Sequence, residues 1–117
     1  MMQVATGSVT FPMERLDPDN PFTSKVFPRV LSTEVVMTAP IENPVAILTG
    51  FDVEFEPSEG GQFAGDGRPF GNLEIQITID EVSGDTVTVS VTYGLRDWSG
   101  DWDDEHAGTI NFAVIAE

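Results

Sequence analysis

Beyond residue 44, four stretches alternate apolar and polar residues with a period of two, the signature of a strand with one buried face. In Val45–Phe55 one face carries Val45, Ile47, Phe51, Val53 and Phe55. Leu73, Ile75, Ile77 and Ile79 alternate with Glu74, Gln76, Thr78 and Asp80, and Val87, Val89, Val91 and Tyr93 alternate with Thr86, Thr88, Ser90 and Thr92. Near the end Ile110, Phe112 and Val114 alternate with Thr109, Asn111 and Ala113. The β-branched residues that dominate these stretches fit a pleated, half-buried surface. Ser83-Gly84-Asp85 between the second and third stretches predicts a hairpin. Two weaker strands are expected over Val4–Phe11 and Val26–Thr38, the latter broken at Pro28.

Proline removes a backbone donor and breaks helices. Six of the eight prolines lie in the first 44 residues and none follows Pro69, which makes the first third a series of short extended pieces and turns. Arg15–Phe22, with Asp17-Pro18-Asp19-Asn20-Pro21, reads as a surface loop. No window of ten residues combines helical periodicity with caps. The expected fold is therefore all-β, a single antiparallel β-sandwich of six or seven strands in one domain spanning residues 1–117. Long loops are expected at 56–71, which holds five glycines and two prolines, and at 94–108, which holds both tryptophans, the one histidine and five acids.

Charge narrows the function. Five basic residues against 20 acidic ones give a formal charge of −15, which disfavours nucleic acid and anionic membrane surfaces, since phosphate needs clustered Lys and Arg. With no cysteine there is no disulfide, thiolate metal site or cysteine nucleophile, and with His106 as the one histidine there is no multi-histidine zinc site. Ser99 has no nucleophile-elbow context. The chain is expected not to be an enzyme. No apolar run approaches the ~20 residues of a membrane helix, and the start Met1–Gly7 lacks the basic and apolar regions of a signal peptide. The localisation expected is cytoplasmic synthesis, followed by a place on a virion or extracellular particle.

Two constellations occupy the 94–108 loop. Asp97, Asp101, Asp103, Asp104 and Glu105 supply carboxylate oxygens of the kind calcium prefers, although their spacing is not that of an EF-hand. Five carboxylates in nine residues repel one another, each close pair by about 1 kcal/mol. The loop therefore calls for a compensating cation: calcium, an arginine such as Arg68, or a neighbouring subunit. Trp98 and Trp102, with Tyr93 at the strand end, can stack on the apolar face of a sugar ring while Asp and Asn side chains accept from hydroxyls. The alternative is that both indoles fold back and plug the end of the sandwich, or bury in a subunit contact.

Val35–Glu54, with Ala39-Pro40 and Pro44-Val45, resembles the H-type lectins, the family of the snail agglutinins. The likeness continues in Thr6-Gly7-Ser8-Val9, Asn72-Leu73, Val82-Ser83-Gly84 and Ile110–Ile115. The resemblance implies a six-stranded antiparallel sandwich, a homotrimer, and sugar bound near the subunit boundary. The family's sugar-reading arginine follows the Asn-Leu pair, where this chain has Glu74; its aromatic corresponds to Tyr93 by spacing, or to Trp98 after an enlarged loop. The ligand-binding candidates are thus Tyr93, Trp98, Trp102, Asn72 and His106. The function expected is a carbohydrate- or surface-ligand-binding adhesion module acting as a homo-oligomer. The alternative is a structural component of a phage virion or related particle, partnered by other particle proteins.

Overall fold

The computed structural model describes residues 2–14, 28–55, 70–97 and 106–117. They form six strands: β1 (Gln3–Glu14), β2 (Arg29–Val36), β3 (Val45–Phe55), β4 (Phe70–Ser83), β5 (Thr86–Asp97) and β6 (His106–Ala116). The strands assemble into two antiparallel sheets of three, sheet A in the order β1-β6-β3 and sheet B in the order β2-β5-β4. The all-β expectation holds, with six strands among the described residues. No helix among them is long and apolar enough to cross a membrane.

The chain changes sheet at every connection except β4–β5. There Ser83 pairs with Thr86 across the two-residue turn Gly84-Asp85. Gly84 has φ +62°, the left-handed region a glycine enters without steric cost, which suits the first central position of a type II′ hairpin turn. Residues 37–44 cross from β2 to β3 over this turn. Met37 N–H donates to Asp85 O (2.7 Å) and Ile41 N–H to Gly84 O (3.1 Å), while Glu42 and Glu117 exchange backbone bonds of 2.8 and 2.9 Å. The Gln3 side chain clamps the same segment, Oε1 accepting from Thr38 N, Thr38 Oγ1 and Ala39 N.

One core is drawn from both sheets: Val9, Phe11, Ile110, Phe112, Val114 and Ala116 from sheet A, and Val35, Met37, Val87, Val89, Val91, Tyr93 and Leu95 from the sheet B half. The central strands β5 and β6 are the most deeply buried, as expected where a strand is flanked on both sides. Pairing of β1 with β6 places Gly7 opposite Phe112 and Gly108 opposite Phe11, so each strand leaves room where its partner is bulky.

Three boundaries differ from the sequence expectation. Strand β4 begins at Phe70, inside the loop expected at 56–71, and β5 and β6 consume both ends of the loop expected at 94–108 by running to Asp97 and from His106. Extended pairing partners, Phe70 with Asp97 and His106 with Phe55, continue the ladders beyond the last alternating apolar residue.

A further difference concerns the faces of β3, where strict alternation puts Val45, Ile47, Phe51, Val53 and Phe55 on one face. The register against β6 shifts between Leu48 and Gly50, and a single extra residue flips every later side chain to the opposite face. Val45 and Ile47 oppose Ile115 and Ala113 on the outer face, whereas Phe51, Val53 and Phe55 oppose Ile110, Gly108 and His106 on the inner face. A second shift in β4, between Ile79 and Glu81, turns Asp80 so that its carboxylate accepts from Ser90 Oγ on the outer face of sheet B.

Candidate functional site

All three connections 15–27, 56–69 and 98–105 leave from the same end of the molecule. The register fixes this: Glu14 and Phe55 both pair with His106, Phe70 pairs with Asp97, and Arg29 opens β2 opposite Tyr93. Every basic residue of the chain belongs to this end or to its connections. Arg15, Lys25 and Arg68 lie in the connections, Arg29 starts β2 and Arg96 is the penultimate residue of β5. The opposite end, with Glu42, Asp85 and Glu117, carries acids alone.

The foundation of this end is an aromatic and cationic cluster. Tyr93 is 0% exposed; its ring meets Phe11 edge-on at 5.2 Å between centroids and His106 at 5.2 Å with an interplanar angle of 84°. Its hydroxyl donates to Ala107 O at 2.7 Å, joining β5 to β6 across the two sheets. The Arg29 guanidinium lies 5.5 Å from the Phe11 ring centroid and donates to Pro12 O at 2.7 Å and to His106 O at 2.6 Å. A planar fork with separated N–H groups can serve two carbonyls on different strands at once, which an ammonium cannot do in the same geometry. One arginine on sheet B thus ties down the last residues of β1 and the first of β6, the roots of two of the three connections.

Burial holds the Tyr93 hydroxyl well above its ordinary range; Arg29 opposes that shift and Glu54 adds to it. Above pH ~10 an unfolded chain releases this proton while the native chain retains it, so stability is complete below pH 10 and falls as pH rises, by up to about 1.4 kcal/mol per pH unit. Tyr93 is the one tyrosine in the chain, so tyrosinate absorbance reads it alone. We expect no tyrosinate signal in the native protein at pH 10, and its appearance at higher pH together with loss of far-ultraviolet circular dichroism. Titration at the ordinary tyrosine pKa with the fold intact would show the hydroxyl to be accessible.

Of the residues singled out from sequence, Tyr93 and His106 are brought together, both fully buried. Neither ring presents a face to solvent, so neither can stack on a ligand in this conformation; they form the floor beneath the connections. Asn72 opposes Arg96 on the outer face of sheet B, half-buried, beside Glu74 opposite Gly94. Asp97 ends β5. Trp98, Trp102, Asp101, Asp103, Asp104 and Glu105 lie outside the described residues. Among the described residues no three His, Asp or Glu side chains converge as a metal site. The one signal for Arg29 in the sequence is a lone basic residue at the first position of a strand.

A concavity of ≈ 510 Å³ lies on sheet A where β3 bulges. Thr6, Ser8, Thr49 and Asn111 contribute to its lining, giving it uncharged hydroxyl and amide groups. Comparisons of the chain with protein-family models, with curated proteins and with solved structures find no match.

Proposed function

We propose that this chain is a non-enzymatic β-sandwich binding module, lectin-like in kind, that acts as a homo-oligomer and reads carbohydrate or a similar surface ligand at the end from which its three long connections leave. The observation that carries the reading is the convergence of those connections on a rigid floor. Connections held on a stiff scaffold are where binding residues concentrate, and these contain both tryptophans and three of the five basic residues. The sandwich itself is supported by the single core shared between the two sheets. In this reading Trp98 or Trp102 stacks on the sugar, acidic and amide side chains accept from hydroxyls, and several copies gain avidity from individually weak sites.

Glycan-array and sugar-resin binding tests the proposal. The wild-type chain is expected to be retained, Trp98→Ala or Trp102→Ala to weaken retention about tenfold, as loss of one stacking contact of ~1.4 kcal/mol would, and Asn111→Ala in the outer-face concavity to leave it unchanged. Retention lost in Asn111→Ala but not in the tryptophan variants would move the site to that concavity. Absence of binding to any glycan at millimolar concentration would remove the lectin reading. A second reading, a structural component of a virion or related particle, draws on the exposed apolar side chains Val45, Ile47, Leu48 and Phe51 of β3 and is tested by whether the protein co-purifies with large assemblies.

A further inference from the structure

Four polar side chains converge on the concavity of sheet A without spending their hydrogen bonds on the protein. Ser8, Asn111 and Gly50 form one row through β1, β6 and β3, with Thr6 in the next row and Thr49 in the bulge itself. Thr6, Ser8, Thr49 and Asn111 are all exposed and line the concavity, and none makes a side-chain hydrogen bond among the described residues. Polar groups nearby are already engaged. Thr10 bonds Thr109 at 3.2 Å one row away, and on sheet B Ser32, Ser90 and Asp80 form a chain. A concavity of ≈ 320 Å³ at the opposite end has its Gln3 amide and Thr38 hydroxyl tied to one another, and Glu42 and Glu117 add charge to its lining.

The concavity exists because β3 departs from regular pairing. The register shift takes Thr49 out of the ladder and leaves Gly50 opposite Asn111. A Cβ at Gly50 would have Asn111 Nδ2 as its nearest neighbour, 3.8 Å away, so the space beside the carboxamide is open. Gly50 lies outside the left-handed region, and the backbone there does not demand a glycine. Bulges re-aim side chains and recur beside binding sites, and a glycine within a strand marks a place where another group can approach closely.

The lining selects its ligand by charge and by hydrogen-bond type. An anion meets a chain of formal charge −15 and no Lys or Arg in the lining. A cation would need carboxylates, and the lining has none; Asp52 stands a row away, opposite Thr109. Three hydroxyls that each donate and accept, with a carboxamide that does both, suit a neutral ligand whose own groups do the same in several directions. A sugar ring is such a ligand. Thr6 and Ser8 stand ~7 Å apart along β1 and Ser8 faces Asn111 across about 5 Å, spans that one ring bridges. We propose that the concavity of sheet A is a binding site for a single neutral sugar unit, with Ser8 and Asn111 as its main contacts and Thr6 and Thr49 at its margins. It lies apart from the end from which the connections leave and does not rest on the reading of that end. The site is open and its groups are hydrated, so it holds one unit at millimolar strength, too weakly to retain the chain on a resin by itself.

Backbone amide NMR of the full chain, titrated with the methyl glycosides of glucose, galactose and mannose, tests this. Saturable shifts are expected at residues 6–8, 49–50 and 111 with at least one of the three, at millimolar Kd. Gly50→Val fills the space beside the carboxamide while leaving every hydrogen-bonding group in place, and Asn111→Ala removes the carboxamide itself. Each is expected to raise that Kd at least about fivefold, with the dispersion of a folded spectrum retained. Asn111 is exposed, so the alanine variant decides should the valine variant fail to fold. Glycerol is expected to give no saturable shift at these residues, and equal shifts from glycerol would show a general solvent effect and overturn the site. No shift at these residues with any of the three glycosides would overturn it too, as would a Kd that Asn111→Ala leaves unmoved. Shifts at residues 98–105 report the connection end separately, so the failure of either site is read without the other.

Discussion

Replacing Arg29 by methionine is expected to lower the melting temperature by roughly 10–15 °C, which for a chain of this size corresponds to about 2–3 kcal/mol. The magnitude comes from bonds already described. Arg29 donates to Pro12 O and His106 O at 2.7 and 2.6 Å, and a hydrogen bond from a charged donor contributes on the order of 1.5–3 kcal/mol. The Pro12 end is exposed, where water can replace the donor, so the sum is discounted to the lower part of that range. Contact with the Phe11 face adds about 0.5–1 kcal/mol. Methionine keeps the length and apolar stem of the side chain, which isolates the loss of the guanidinium. Arg29→Lys retains the charge without the fork and is expected to fall between the two. A melt of Arg29→Met superimposable on the wild type would show that solvent serves both carbonyls and that the end of the molecule is held by packing alone.

The second large effect is expected at Gly7. A Cβ there would stand 2.5 Å from Cζ and 2.9 Å from Cε2 of Phe112, a ring with no exposed surface. Gly7→Ala is therefore expected to destabilise by about 2 kcal/mol through overpacking. Phe112→Leu alone should cost roughly 1–2 kcal/mol by shrinking a buried aromatic. Because leucine withdraws the atoms that the new methyl would strike, the double variant is expected to be less destabilised than the sum of the singles, by at least about 0.5 kcal/mol. Denaturant unfolding of the four proteins measures this coupling. Strict additivity would mean that β1 shifts away from β6 to make room, and that the opposed Gly7–Phe112 pair is not a tight fit.

Gly108 makes the same point on the neighbouring strand β6. Its Cβ would meet the Tyr93 ring at 2.9 Å and the Asp52 carbonyl oxygen at 3.1 Å. The hydroxyl bond to Ala107 prevents the ring from yielding. Both glycines lie on the inner face of sheet A, and each makes room for a buried aromatic ring. Neither is marked by a turn motif in the sequence, since the space each leaves is filled by a residue distant along the chain.

Strand identity was legible from local pattern because alternation reflects the backbone geometry of the strand itself, in which successive side chains point to opposite faces. The β-branched runs of β4 and β5, the Ser83-Gly84-Asp85 turn and the lack of helical periodicity therefore sufficed for an all-β chain with a β4–β5 hairpin. The same local pattern misassigned the faces of β3, because the bulge beside Thr49 depends on how β3 pairs with β6, some sixty residues away. Tyr93 and His106 looked like ligand-facing residues beside a polar loop, yet pairing carries β5 to Asp97 and β6 back to His106 and draws both rings under cover. Composition established a charge of −15, but only the strand order brings Arg29 and Arg96 to the end from which the three connections leave. Periodicity is a property of neighbours in the chain, whereas burial, edge position and charge asymmetry are properties of neighbours in space, and the pairing of strands far apart in sequence decides them.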